Sequence, residues 1–205
     1  MSTQRESAPN TARRNEASRR AILMAAFDLV GEVGYAKLSI EGIAARAGVG
    51  KQTIYRWWPS KGAVLFDAFL ALAEGSDDSS ALPDTGDLQA DLTTVLRATV
   101  EEFGDPRFDT PMRALSTEIA HDPALAEMYA ERLDRPMREL KKERLRSAQR
   151  TGELPADLDL DVAIDLVWGP LHNRWLHRSG PLTPEYAEAL VATALNGLRH
   201  ASASE

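Results

Sequence analysis

The chain has 205 residues, enough to bury one large core or two small ones, and no cysteine, which excludes a disulfide framework, a thiolate nucleophile and any cysteine-based metal site. No run approaches the roughly 18 apolar residues of a membrane helix, and the N-terminal stretch lacks the apolar centre of a secretory signal, so a cytoplasmic protein without a membrane partner is expected. The net charge of −7 is divided unevenly: residues 1–62 carry ten Lys/Arg against five Asp/Glu, and the remainder holds fourteen against twenty-six, a basic end suited to phosphates and an acidic body that is not.

Residues 1–15 are polar, lack periodicity and are expected to be a disordered basic arm that includes Arg5, Arg13 and Arg14. A helix is predicted from about Glu16 to Val33, with Ile22, Ala26, Leu29, Val30 and Val33 in one stripe and Gly34 as its stop. Ser39 then caps a short helix in which Ile40, Ile43, Ala44 and Ala47 recur at amphipathic spacing. Gly48 supplies the left-handed turn that closes it. Another helix starts at once with Lys51 and is ended by Pro59. Its Ile54 and Trp58, four apart, can face inward, which leaves Lys51, Gln52, Thr53, Tyr55, Arg56 and Trp57 outside. A solvated helix gains nothing from two exposed aromatics, whereas one lying in a DNA major groove does. Two short helices around a glycine turn with that outer face read as a helix-turn-helix.

Ser60 can cap a fourth helix carrying Val64, Leu65, Ala68, Phe69 and Leu72, and residues 75–87 are the one clear linker. Beyond it every segment reads as helix: Leu88 to Phe103; a short helix starting at Thr110-Pro111; one starting at Asp122-Pro123 that Pro136 should bend; 159–178; and one starting at Thr183-Pro184. The basic stretch Arg138 to Arg150, interleaved with Glu139 and Glu143, reads as a solvated helix face. The 159–178 helix has one apolar stripe through Ala163, Ile164, Val167, Leu171 and Trp175, with Val162, Leu166 and Leu176 lying off it, as in a helix buried on more than one side. The fold class is all-α with about nine helices.

Residues 16–70 resemble the DNA-binding domain of the tetracycline-repressor (TetR) family of bacterial regulators. The resemblance is carried by Ala21-Ile22-Leu23 with Ala25-Ala26, Gly34-Tyr35, Ile43-Ala44-x-x-Ala47-Gly48-Val49, Thr53-Ile54-Tyr55 and Ser60-Lys61. Trp57-Trp58 departs from the His-Phe of many relatives, Trp58 preserving the apolar role. The domains implied are the arm 1–15, a helix-turn-helix domain 16–62 and a ligand-binding and dimerisation domain 63–205 with the fourth helix as connector. Lys51, Gln52 and Thr53 are the expected base readers, and Arg56 reaches a guanine or a phosphate. Tyr55 and Lys61 match family positions that grip phosphates, Ser39 offers its backbone N–H to another, and the arm can enter the minor groove. Glu41 is read as a helix-dipole partner in preference to a base reader.

The family also implies an effector pocket in the larger domain, a homodimer on double-stranded palindromic DNA, and no cofactor. Apolar pocket candidates are Leu96, Phe103, Phe108, Met112, Leu115, Met128, Met137, Trp168 and Trp175, with Tyr129, His172 and Asn173 as polar handles for a largely apolar effector. The last two helices are expected to pair with their copies through Leu166, Leu176, Leu190, Val191, Ala194, Leu195 and Leu198. Two other functional classes fit the sequence less well. An enzyme is disfavoured because His121, His172, His177 and His200 are dispersed and Gly48-Val49-Gly50 sits in a helix turn rather than a phosphate loop. A DNA-binding architectural protein without sequence choice is disfavoured by the polar face of Lys51, Gln52 and Thr53.

Overall fold

The structure, a computed structural model, describes residues 8–73 and 82–201, with backbone only at 8–12 and 72–73. The helices are α1 (Ala8–Val33), α2 (Ile40–Ala47), α3 (Lys51–Tyr55), α4 (Lys61–Ala73), α5 (Leu88–Gly104), α6 (Pro106–Ile119), α7 (Pro123–Tyr129), α8 (Arg135–Thr151), α9 (Leu160–His177) and α10 (Pro184–Arg199). A 3₁₀ turn, Tyr35–Lys37, follows α1, and a π turn, Ala130–Asp134, joins α7 to α8. Taking α7 and α8 as one rod, the described residues form nine helices and no strand.

The caps explain most boundaries. Ser39 Oγ accepts from Gly42 N, Asp87 from Ala90 N, Asp159 from Asp161 N and Val162 N, and Thr183 from Tyr186 N. Two expectations are corrected. The first helix begins at Ala8 rather than Glu16, because Pro9 lies in the first turn, where its missing N–H costs nothing, and no breaker follows it. Residues 8–15 are therefore helical; the remainder of the arm, 1–7, and most of the linker, 74–81, lie outside the described residues. The sixth helix starts at Pro106 instead of Pro111, since Asp105 Oδ1 already caps it by accepting from Arg107 N, so Pro111 falls within the helix. The interruption expected at Pro136 takes the form of the π turn just before it, after which α8 runs on with Pro136 in its first turn.

The described residues fall into two compact units. One comprises 8–73 with 110–126; the other comprises 82–109 with 127–201. In the first, α1 packs on α2 and α4, burying Ile22, Ala26 and Val30 with Ile43, Ala44, Val64 and Phe66. α4, expected as a connector to the larger domain, is part of this unit. At its start Gly62 admits a close approach: a Cβ there would stand 3.0 Å from Leu125 Cδ2 and 3.2 Å from the buried Tyr35 hydroxyl. Burial, with Glu118 and Asp122 nearby, pushes that phenol above its usual pKa. Gly62→Val is expected to destabilise this unit by about 1–3 kcal/mol through overpacking, read as a lower urea midpoint at unchanged m.

The second unit is built on α5 against α10, with α10 on α9 and α9 on α8. Leu88, Leu92, Leu96, Val100, Leu145, Val167, Leu171, Val191 and Leu195 form one core. Arg138 joins Asp161 and Asp165 across α8 and α9 at 3.0 and 2.9 Å. Arg144 corrects the reading of α8 as a solvated basic face: it is buried, with Nη2 2.7 Å from the equally buried Asp91 Oδ2. Asp91 also accepts from Thr85 N and Oγ1 at 3.1 and 2.7 Å. Burial alone would raise the Asp91 carboxyl, but the Thr85 and Arg144 hydrogen bonds outweigh it and hold the pKa below the usual range.

Candidate nucleic-acid interface and effector groove

The geometry of α2 and α3 follows from a few residues. Gly48, at φ 67°, closes α2 in a left-handed turn, and Val49 N reaches back to Ala44 O at 3.0 Å. The chain re-enters helix with Thr53 N on Gly50 O at 2.9 Å. Ile54 is completely buried, and Trp58 is nearly so. Trp58 Nε1 donates to Asp67 Oδ2 on α4 at 2.8 Å, and Arg19 Nη2 of α1 donates to the same oxygen at 3.3 Å. A buried indole N–H needs such a partner. One carboxylate thus ties the end of the α3 segment to two other helices.

This anchoring decides what α3 presents. Lys51, Gln52, Tyr55 and Arg56 are exposed, Tyr55 by 55%, and Thr53 is half-buried. Trp57 is only half-exposed, because it stands edge-on to Trp58 with centroids 5.4 Å apart, and the Arg56 guanidinium lies 4.9 Å from its ring. Lys51 Nζ meets Glu41 Oε1 of α2 at 2.9 Å. That hydrogen bond lowers the Glu41 pKa and raises that of Lys51.

Ser39 is a half-buried N-cap. Lys61, at the position expected to grip a phosphate, donates within its own chain to Tyr35 O and Leu38 O at 3.0 Å each, and its ammonium sits 4.2 Å from the Tyr35 ring centroid. It holds the end of the 3₁₀ turn, just ahead of the Ser39 cap. The face brings together Lys51, Gln52, Tyr55 and Arg56; the contact of Glu41 with Lys51 and the Arg19–Asp67–Trp58 tie are not legible in the sequence. Asp67 left a signal, a lone carboxylate among Val64, Leu65, Phe66, Ala68 and Phe69.

In the second unit the expected pocket residues divide. Leu96 belongs to the core. Phe103, Phe108 and Trp175 stack on one another, at 4.6 Å for Phe103–Trp175 and 5.5 Å for Phe103–Phe108, while Trp175 Nε1 donates to Asp109 Oδ1 at 2.7 Å. Met112 and Leu115 are buried in the first unit, Met128 is half-buried, and Met137 is exposed. Tyr129, Trp168, His172 and Asn173 do line an open groove of about 370 Å³ together with Asp134, Arg138 and Lys141, and His172 also packs on the aromatic stack, its ring centroid 5.9 Å from Phe103 and 5.3 Å from Trp175. Lys141 Nζ lies 4.7 Å from the Trp168 ring centroid. Burial lowers the Lys141 pKa, opposed by Asp134 and reinforced by Arg138, and burial with Lys141 lowers that of His172.

The expected pairing residues divide too. Val191, Leu195 and Leu198 are 0–2% exposed, since α10 turns that side toward the core it shares with α5 and α9, and they are unavailable to a partner. Leu190 and Ala194 are half-buried, and Leu166 and Leu176 remain exposed beside Val162.

A glycine-closed helix pair with an anchored second helix and a cationic outer face defines a helix-turn-helix protein. The profile described as "Bacterial regulatory proteins, tetR family" matches residues 22–68, and "Tetracyclin repressor-like, C-terminal domain" matches 82–194. The HTH-type transcriptional regulator YdeS of Bacillus subtilis (strain 168) is 38% identical over 193 residues, 94% of this chain and 95% of its own length. The DNA-binding transcriptional repressor TetR of Mycobacteroides abscessus is 29% identical over 185 residues, covering 89% of this chain and 94% of that protein. The crystal structure of the TetR-family regulator SCO0332 superposes with a TM-score of 0.70 at 35% identity, covering 88% of this chain and 97% of that one. The chain belongs to the TetR family. It is an all-helical, DNA-binding transcriptional regulator and not an enzyme. Among the described residues no helix is long and apolar enough to cross a membrane.

Proposed function

We propose that the chain is a homodimeric repressor that binds a palindromic operator and leaves it when a small molecule occupies the second unit. The observation that carries this reading is the outer face of α3: Ile54 and Trp58 are held inside, so Lys51, Gln52, Tyr55 and Arg56 stand together on the exposed side. Gln52 pairs with an adenine edge, Lys51 and Arg56 with guanine acceptors or phosphate, the Thr53 methyl meets a thymine methyl, and Tyr55 grips a phosphate. Ser39 and Lys61 set the pose of α2, with the third N–H of Lys61 left for the backbone.

Leu166, Leu176 and Val162 on α9, with Leu190 and Ala194 on α10, are the apolar surface for a second copy. Two copies present two reading helices, so the half-sites are about one helical turn, or a multiple, apart. The relative in Mycobacteroides abscessus is named a repressor, which supports repression here. The groove beside Trp168 and Lys141 suits an effector with an apolar body and a few polar groups. Such an effector acts only if it binds the DNA-incompetent arrangement more tightly.

Titration of the protein onto the duplex upstream of its own gene tests the reading. Arg56→Ala is expected to weaken specific binding by roughly 5–150-fold while leaving the melting temperature unchanged, since the side chain is exposed. Equal affinity for that duplex and for random DNA would remove the reading.

A further inference from the structure

Glu41 lies in the first turn of α2 and Lys51 opens α3, and the turn at Gly48 brings their charged ends to 2.9 Å. Both side chains are more than half exposed, at 65% and 55%. An ion pair so placed adds little to the fold, because water screens it. α2 and α3 are held instead by the burial of Ile43, Ala44 and Ile54. The consequence of the pair is chemical: a carboxylate stands on the same face as Lys51, Gln52, Tyr55 and Arg56.

A carboxylate facing DNA is repelled by phosphates unless it meets a donor. In the major groove the donors on base edges are the cytosine 4-amino and adenine 6-amino groups. On a G·C pair the cytosine amino group lies next to guanine O6, its own hydrogen-bond partner, with N7 beyond. Donor and acceptor on that edge are therefore one hydrogen-bond length apart, as are the acceptor and donor of Glu41 and Lys51. The contact uses one N–H of the Lys51 ammonium and one oxygen of Glu41, which leaves two N–H groups and the second carboxylate oxygen for the bases. Reversing the pair to C·G, or placing adenine where guanine stood, sets an acceptor (guanine O6 or thymine O4) opposite Glu41, which the carboxylate rejects, whereas thymine in place of guanine keeps a donor for Glu41 and leaves the ammonium a single acceptor.

We propose that Glu41 and Lys51 act as one reader of a single G·C base pair in each half-site, Lys51 donating to guanine O6/N7 and Glu41 accepting from cytosine N4. The inference rests on the operator-binding reading above. It makes Glu41 a specificity-determining residue and not only a partner of the α2 dipole.

The test is a selection of the full-length protein on a random-sequence duplex library, followed by titration of the selected duplex and of single base-pair swaps. Wild-type protein is expected to lose roughly 5–150-fold when one G·C pair per half-site is reversed to C·G, which sets the guanine acceptors opposite Glu41. With Glu41→Ala that swap should cost less than about 3-fold, and binding to unselected DNA should tighten as a repulsive charge is removed. Glu41→Gln, which both donates and accepts, should accept A·T at that position nearly as well as G·C. If Glu41→Ala raises affinity for every duplex equally and keeps full discrimination, Glu41 only repels phosphate and the proposal is overturned. A selected motif with A·T at the position Glu41→Ala relaxes overturns it as well. A wild-type protein that enriches no sequence removes the operator reading itself, a different result from a motif that Glu41 does not influence.

Discussion

Asp91→Ala is expected to destabilise the second unit by about 2–4 kcal/mol, the cost of partly stranding a buried guanidinium whose remaining carboxylates, Asp84 and Glu153, stand farther away. The Arg144 side chain is 2% exposed and would keep Pro83 O at 3.0 Å from Nε, with the Asp84 and Glu153 carboxylates farther off at 3.5 and 3.7 Å. Thr85 would lose the acceptor for both its N–H and its hydroxyl. The double variant Asp91→Leu/Arg144→Met should recover most of the loss, since apolar replacement of both partners removes the stranded charge. Urea denaturation, with hydrogen exchange on α5 and α8, reads both effects. A double variant as unstable as the single one would show that the loss comes from packing.

The same pair predicts a pH dependence. The carboxyl of Asp91 has a lower pKa folded than unfolded, so the folded state binds its proton more weakly. Its stabilisation is complete above the ordinary aspartate range and is lost as pH falls through that range and then through the folded value. Asp91→Asn should therefore flatten the acid limb of the stability profile. An unchanged limb would place the acid sensitivity elsewhere.

Trp58→Ala should cost about 3–5 kcal/mol in the first unit, through loss of a buried indole and the cavity left behind. The residue is 3% exposed and packs beside the wholly buried Ile54, so the loss falls on the segment that carries α3. Its indole N–H also engages Asp67, a carboxylate 8% exposed on α4. Trp58→Phe keeps most of the apolar volume and removes only that donor. It should cost less, with Arg19 still bound to Asp67. Faster hydrogen exchange at the Ile54 and Trp58 amides, accompanied by weaker DNA binding, is the expected signature of the alanine variant. Unaltered exchange at those amides would mean that α3 is held by something other than the Trp58 anchor.

These two sites differ in how visible they are in the amino-acid order. Trp58 falls four residues after Ile54, before a proline, and that spacing alone places it inward. Arg144 sits in a run of alternating charges, where helical spacing resembles a solvated face, and only its partner 53 residues earlier distinguishes it. The start of α1 is hidden for a related reason: residues 8–15 carry no apolar stripe, yet Ala8, Ala12, Arg13 and Arg14, with Pro9 in the first turn, extend the helix.

By its order of residues alone, the chain determines an all-α protein with a capped, glycine-closed helix pair, because capping, turn chemistry and apolar spacing act over a few residues. The inward Ile54 and Trp58, the exposed Lys51, Gln52, Tyr55 and Arg56, and the surplus apolar side of α9 follow from that local chemistry. Tertiary packing alone decided that Lys61 is bound to Tyr35 and Leu38, that Glu41 meets Lys51, and that Val191, Leu195 and Leu198 face their own core. It also closed Phe103, Phe108 and Trp175 into a stack and left Trp168, His172 and Asn173 along a groove. These are contacts between residues distant in the chain, and helical periodicity says which side a residue faces but not what stands opposite it.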